Sequence, residues 1–344
     1  MKQRRTGKVI LRILLVFITT LLLLSLAVVG VVYVVLRGPS PAAQELLTHS
    51  LKETSAIGFI PDLFLSKARI AEIMNEDEEI QEQEQTDTSL VTITATHRDV
   101  DLSGGETPTG SDATDAGDGI EFIGITGANY RGVMMVVKDP FRVFVGTPDS
   151  YGGAGLTLEQ LIEKYDAIGG INGGGFNDPG GGGNGGIPDG IVITEGYLKY
   201  GSPGTMSNVI GIDADGILHV GWMSGQDALD RKIQWACSFG PALIVNGEAQ
   251  TGSVITTSGV NPRTAIGQRA DGAMLLLVVD GRQITSLGAT YEDLVSIFME
   301  YGAVNAANLD GGSSSSMLYQ GEAMNVNASV IGTRPLPTAF LVRK

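Results

Sequence analysis

The spacing of apolar positions changes character several times along the chain. From Ile13 to Leu36, 24 residues run without a charge and are dominated by Leu, Val and Ile. At 1.5 Å per helical residue such a run extends about 36 Å, enough to cross a bilayer's hydrocarbon core. Lys2, Arg4, Arg5, Lys8 and Arg12 precede it and only Arg37 follows closely. The positive-inside bias therefore puts residues 1–12 in the cytoplasm and everything past residue 37 outside. The run exceeds the apolar region of a cleavable leader and no small-x-small site follows it, so residues 13–36 read as an uncleaved, single-pass signal anchor in contact with the lipid bilayer. In residues 37–75, Leu63, Phe64, Ile70, Ile73 and Met74 recur at helical spacing around Pro61, which predicts two short helices in a stalk. Seven of the twelve residues from Glu76 to Asp87 are acidic, and Asp99 to Asp118 is rich in Gly, Ser, Thr and Asp. Neither stretch buries enough apolar area to order itself, so residues 76–119 read as a linker around one short strand, Leu90 to Ala95.

From residue 120 to 344 the pattern turns to short β-like runs between Gly, Asn and Asp turns. The predicted strands are Arg131 to Val137, Phe141 to Val145, Gly190 to Thr194, Val209 to Asp213, Ile217 to Val220, Ala242 to Val245, Ala273 to Val279 and Thr338 to Val342. Asp215-Gly216, Asn246-Gly247, Asp271-Gly272 and Asp280-Gly281 supply hairpin dipeptides. Two segments have helical spacing instead. Thr157 with Gln160 forms a capping box before Leu158, Leu161, Ile162 and Tyr165, and Thr290 with Asp293 forms an acidic one before Leu294, Ile297, Phe298 and Tyr301. Each leads into a Gly-rich, Asn-bearing turn, 171–176 and 308–312; two copies of a helix-to-strand unit converging on one site is one reading, and chance similarity over about a dozen positions is the other. The fold class is therefore α+β: a mixed or antiparallel β-rich domain with two or more helices on the sheet, behind one N-terminal transmembrane helix.

Composition narrows the chemistry. Glycine supplies 48 of 344 residues without a G-X-Y period, which favours a turn-rich β fold over a bundle. One cysteine, Cys237, and three scattered histidines make zinc hydrolysis and Cys/His catalysis poor candidates. No cofactor or metal ligand set is predicted, and a divalent cation stays open. Past Arg37 there are 17 basic and 38 acidic residues, a net of −21, so the chain lacks the basic footprint of a nucleic-acid binder.

The sharpest local signal is Asn308-Leu309-Asp310-Gly311-Gly312 followed by Ser313 to Ser316. A carboxylate beside two glycines and a row of hydroxyls faces a ligand closely, with successive N–H groups able to form an anion nest. A plain turn with a serine-rich strand is the alternative. The second signal is Asn261-Pro262-Arg263-Thr264, an arginine entering a buried strand, where the guanidinium needs an anion, either a structural carboxylate or a ligand. Arg282 and Arg334 are further candidates for a positive pocket, and Asp280 and Asp189 for a second carboxylate.

Taken together, Asn172 to Phe176, Asn261 to Thr264, Asp280 to Arg282, Gly288, Asn308 to Ser313 and Arg334 resemble the phosphodiester glycosidase family, whose bacterial members are linked to exopolysaccharide. The resemblance covers about residues 120–342. It implies a membrane-anchored, extracytoplasmic hydrolase that breaks the sugar C1–O–P linkage of a carbohydrate phosphodiester in an envelope or exopolysaccharide-type substrate, in a bacterial cell. Asp310 is then the catalytic carboxylate and Arg263 the phosphate clamp. Asn172, Thr264, Asn308, Gly311, Gly312, Ser313 and Arg334 bind substrate, with Asp280, Arg282 and Phe176 as accessory candidates. A non-catalytic glycan-binding or wall-polymer-binding module, and a glycosidase indifferent to phosphate, are the alternatives. The sequence names no protein partner.

Overall fold

The computed structural model describes residues 2–54, 57–75, 85–93, 114–178, 183–329 and 332–344. One helix, Lys2–Arg37, contains an apolar stretch, Leu11–Arg37, long enough to cross a membrane. Three helices follow, Pro41–Lys52, Ile60–Phe64 and Lys67–Asn75, one more than the spacing predicts. They fold back on the end of the first helix, burying Leu36, Leu65, Ile70 and Ile73 in a small core of their own.

The remainder forms three antiparallel sheets. The first has eight strands in the order Thr114–Gly117, Ile120–Thr126, Arg131–Val137, Met274–Val279, Arg263–Arg269, Ala303–Leu309, Ala242–Val245 and Glu248–Ala249. The second pairs Tyr197–Tyr200, Val192–Thr194, Ile233–Ser238, Met206–Asp213 and Leu218–Ser224. The third pairs Glu322–Ala323, Met317–Tyr319, Ala167–Asn172, Ala339–Arg343 and Val143–Gly146. One core receives side chains from all three, among them Met135, Leu276, Val220, Ile171 and Phe340. On the opposite face of the first sheet, Leu275, Leu277 and Val279 meet Leu294, Ile297 and Phe298 of helix Tyr291–Glu300. Burial on both faces is why Met274–Val279 reads as an unbroken apolar run rather than an alternation.

Both helix-to-strand units form, and a third accompanies them. The capping boxes Thr157/Gln160, Ser224/Asp227 and Thr290/Asp293 start helices Leu158–Lys164, Gly225–Asp230 and Tyr291–Glu300. Residues at positive φ, Asp166, Lys232 and Gly302, then turn each chain into an interior strand of a different sheet. The three strands end at Asn172, Ser238 and Leu309, and the turns beyond them meet. The Asp310 N–H donates to the Gly173 carbonyl at 3.1 Å, the Gly175 N–H to Ser238 at 3.0 Å, and the Asn308 N–H to Pro241 at 3.0 Å.

Several boundaries differ from the sequence reading. The expected strand at Leu90 is instead a 3-10 turn, Thr88–Leu90, capped by Asp87, and Thr94 and Ala95 lie outside the described residues. Phe141 belongs to the 3-10 turn Pro140–Arg142, which delays the following strand to Val143. Part of the acidic linker is fastened to the domain: the Asp87 N–H donates to Asn246 Oδ1 at 2.7 Å, and the Thr92 N–H to the Ala270 carbonyl at 2.8 Å.

The close approach of the turns constrains Gly174. A Cβ there would lie 2.7 Å from the Ser238 carbonyl oxygen, which is fixed backbone. Gly174→Ala is expected to destabilise the chain by about 1–3 kcal/mol, the usual cost of overpacking. A Cβ on Gly153 meets nothing within 4 Å, so Gly153→Ala should stay within about 0.5 kcal/mol, both read by urea denaturation of the full chain in detergent.

Candidate functional site

The converging turns place the Asp310 carboxyl at the end of strand Ala303–Leu309, where burial pushes its pKa up to about 7. The Ser314 hydroxyl and Arg334 pull it down, and Asp178 and Asp189 push it further up. Arg334 donates from Nη1 to Ser313 Oγ at 3.2 Å, pairs with Asp178 at 2.8 Å, and lies over the Phe176 ring at 5.0 Å. Phe176, 7% exposed, thus underlies an arginine. Burial also raises the Asp189 carboxyl, on the loop that bonds back to Gly175.

A second group of residues sits one turn away. Arg263 is buried at the start of its strand, donating from Nε to the Ala289 carbonyl at 3.1 Å and from Nη2 to Gly259 at 2.5 Å and to the Glu53 carboxylate at 2.8 Å. Its guanidinium stacks on the Tyr291 ring, 4.2 Å from the centroid. Tyr291 joins the two groups. Its hydroxyl lies 3.4 Å from Asn308 Nδ2; burial raises its pKa, Arg263 lowers it, and Glu53 and Asp310 raise it again. Arg282 points into the same region. It forms no ion pair with a carboxylate among the described residues, donating instead to Thr54 Oγ1 at 2.8 Å and Asn261 Oδ1 at 3.3 Å, and burial beside Arg263 lowers its pKa. Gly312, at φ +61°, brings its backbone against this guanidinium: a Cβ would lie 3.3 Å from Nη2. The Gly312 N–H is spent on the Pro262 carbonyl at 2.8 Å, which holds the two glycines against the start of the Arg263 strand.

Three residues expected to touch substrate do not reach open space. Asn172 and Thr264 are fully buried. Asn172 Nδ2 donates to the Asp310 carbonyl at 2.6 Å, and its Oδ1 accepts from Thr264 Oγ1 at 2.7 Å and the Ser316 N–H at 3.1 Å. They set the Asp310 turn from behind. Asn308, also fully buried, donates to the Gly240 carbonyl at 2.8 Å, while its Oδ1 has no hydrogen-bond partner. Asp280 holds residues 325–326, accepting from Asn325 Nδ2 at 3.2 Å and the Val326 N–H at 2.9 Å, and its pKa is raised by burial. Sequence reasoning missed Tyr291, which it did not single out, and Glu53, which lies 210 residues before its arginine. The sole cysteine, Cys237, is buried, its thiol pushed up to about 12. Among the described residues no three His, Cys, Asp or Glu side chains gather as a metal-binding group.

The Asp310 turn thus lies among three arginines, Arg263, Arg282 and Arg334, where turns beyond strands of three antiparallel sheets meet. The model of the phosphodiester glycosidase family matches residues 165–343, just over half of the chain, and the chain belongs to that family. It is similar to the SPbeta prophage-derived uncharacterized protein YomE of Bacillus subtilis (strain 168), 29% identical over 54% of this chain and 29% of that one. It is also similar to mouse N-acetylglucosamine-1-phosphodiester alpha-N-acetylglucosaminidase, 28% identical over 57% of this chain and 41% of that one. The chain thus spans less than half the length of these relatives. Among solved structures, the catalytic domain of the zebrafish enzyme of the same name, auto-inhibited by its pro-peptide, shares the fold. It has a TM-score of 0.53 at 22% identity and covers 68% of this chain and 83% of that one.

The Asp310 carboxyl has a consequence for stability. Its folded-state pKa of about 7 stands above the unfolded value, so its contribution is fully present below the ordinary aspartate range and is lost as pH rises through about 7. Asp310→Asn should therefore melt above the parent at pH 8 and together with it near pH 4, measured by thermal unfolding across pH. Asn172→Ala, which strands a carbonyl, a hydroxyl and an N–H, should cost about 2–4 kcal/mol at any pH in the same assay.

Proposed function

We propose that this chain hydrolyses glycosyl-1-phosphodiesters, breaking the bond between the anomeric carbon and the bridging oxygen and releasing free sugar and a phosphate monoester. The observation that carries the reading is a carboxyl at about 7 on the same turn as Gly312, whose backbone faces an arginine, Arg282, that forms no ion pair among the described residues. The departing phosphate monoester is a weak base, so the reaction asks less for a strong general acid than for charge stabilisation at phosphate. Arg263 and Arg282 hold the phosphate oxygens, and Arg263 adds a planar fork suited to them. Tyr291, coupled to both Arg263 and Asp310, lies where the bridging oxygen passes between clamp and carboxylate, and its hydroxyl donates a hydrogen bond there. Asp310 in its ionised form activates water or stabilises the oxocarbenium character of the sugar. Ser313, already in contact with Arg334, faces the sugar side with it.

The apolar N-terminal helix supports a membrane-anchored, extracytoplasmic enzyme, with the basic residues before Ile13 on the cytoplasmic side. An envelope or exopolysaccharide-type polymer in a bacterial cell is the substrate class that suits such a location.

Full-length chain in detergent, assayed against a panel of sugar-1-phosphodiesters with product identification, should give free sugar and phosphate monoester. Sugar-1-phosphate would instead mean cleavage at phosphorus and would overturn the reading. Asp310→Asn should lower kcat by about 10²–10⁴-fold, and the parent rate should climb as pH passes through about 7. Arg263→Lys should lower kcat/KM by roughly 10- to 100-fold, because lysine does not reproduce the bidentate geometry.

A further inference from the structure

The apolar stretch Leu11–Arg37 has 27 residues, about 40 Å of helix, and exceeds a hydrocarbon core of about 30 Å by about two turns. Its last turns therefore emerge into the headgroup region, and there the next segment folds against them. Phe64 meets Tyr33 edge to face, with ring centroids 6.3 Å apart, and Val32 and Leu36 pack with Leu65, Ile70 and Ile73. Helix Ile60–Phe64 thus lies beside the part of the first helix that ends in the bilayer interface. At that depth Phe59 and Leu63 are left uncovered, 59% and 68% exposed. Aromatic and aliphatic side chains so placed suit the boundary between acyl chains and headgroups. Arg37 ends the first helix and Lys67 begins helix Lys67–Asn75, and both are exposed, as suits anionic headgroups.

The same segment is joined tightly to the site. From Thr54 to Ile60 the backbone makes successive turns, with the Ile57 N–H donating to the Thr54 carbonyl at 3.1 Å and the Ile60 N–H to Ile57 at 3.0 Å. Thr54 Oγ1 accepts from Arg282 Nη2 at 2.8 Å, and Ser50 Oγ accepts from the Val260 N–H at 2.9 Å. Lys52 pairs with Asp62 at 2.6 Å, which ties helix Pro41–Lys52 to Ile60–Phe64. Beyond Arg282 the rim of the site is apolar. Ile284 is fully exposed at the tip of the turn closed by Gln283 and Ser286, Leu287 is exposed after it, and Gln283 Nε2 donates at 3.0 Å to the carbonyl of Val326, another exposed residue. Such a rim suits a substrate delivered from a bilayer more than a hydrated polymer.

We propose that residues 57–64 seat in the outer bilayer interface and hold the site against it, so that the substrate's phosphodiester joins the sugar to a membrane-embedded lipid alcohol. This rests on the reading of the first helix as an anchor and of the site as a glycosyl-1-phosphodiester hydrolase. Water adds its oxygen to the anomeric carbon, and the bond from that carbon to the bridging oxygen breaks. The phosphate keeps the bridging oxygen and takes one of the water's protons. The sugar leaves into water while the lipid phosphate stays in the membrane. Enzyme and substrate then share one surface, and their encounter takes place at the effective concentration that the bilayer sets.

The test uses the full chain in vesicles of phosphatidylcholine and phosphatidylglycerol. A nitroxide on Leu63→Cys should be open to oxygen and shielded from a water-soluble nickel chelate, and one on Tyr197→Cys, on the edge strand of the second sheet, should show the reverse. Cys237 is buried and takes no label. Equal nickel access at the two positions, or a Leu63→Cys label shielded from both reagents, as against a protein surface, overturns the seating. The double variant Phe59→Ser/Leu63→Ser should slow hydrolysis of a long-chain alkyl glycosyl-1-phosphodiester in the same vesicles by about tenfold or more, and leave a short-chain, water-soluble diester within about twofold. Equal loss on both diesters, or loss on neither, overturns the proposal, as does a parent that hydrolyses only the soluble one. A parent that hydrolyses neither, with the Leu63→Cys label still in the bilayer, removes the hydrolase and leaves the seating in place.

Discussion

A single enclosed amide, the side chain of Asn172, ties together two distant segments of the chain, the strand at Thr264 and the turn from Asp310 to Ser316. Its nitrogen fixes the Asp310 carbonyl, and its oxygen gathers the Thr264 hydroxyl and the Ser316 N–H. Strands from the first and third sheets are thereby held to one another at their ends, and the second sheet joins through Asn308 and Gly240. Asn172, Thr264 and Ser316 are buried and Asp310 is half-buried, so water is a poor substitute partner and losing one group leaves the others short of a hydrogen bond. The position of the Asp310 carboxyl is a product of that network. A carboxyl on a free turn would be solvated and ordinary; held here beside Asp178 and Asp189, it stays protonated to about neutrality.

The same enclosure resolves an apparent contradiction in charge. The residues after Arg37 carry a net −21, yet the site is framed by Arg263, Arg282 and Arg334. Exposed charges are screened over about 10 Å in ordinary salt, whereas a guanidinium acts at contact range. Two of the three arginines already hold a carboxylate, Glu53 or Asp178. Within a phosphodiester glycosidase, the acidic exterior and the basic interior therefore answer to different distances.

Much of the fold was legible because its signals are local. Arg131–Val137 and Ala242–Val245 match the predicted strands residue for residue, and the caps at Thr157 and Thr290 start helices where the side-chain pattern places them. The third unit escaped notice because Gly225–Asp230 is a helix of only six residues, too short to show a period. The site was half legible. Asp310 and Arg263 are brought near a common tyrosine, while Asn172 and Thr264 face each other and not open space. A polar residue in an apolar strand looks the same from sequence whether it awaits a ligand or a neighbouring strand. Glu53 carried no signal at all, since its partner is a tertiary one and its own surroundings read as a helical stalk.

Cys237 lies in the shared core of the three sheets, 1% exposed and with its thiol far from ionising at neutral pH. The thiolate is the reactive form, so reagents in bulk solvent find almost none of it. The chain consequently arrives as a blank background for maleimide chemistry. One engineered thiol on helix Pro41–Lys52 and another beside Gly259 would accept spin labels or a dye pair with no native residue to remove first, and the distance between them could be followed in the otherwise unaltered molecule.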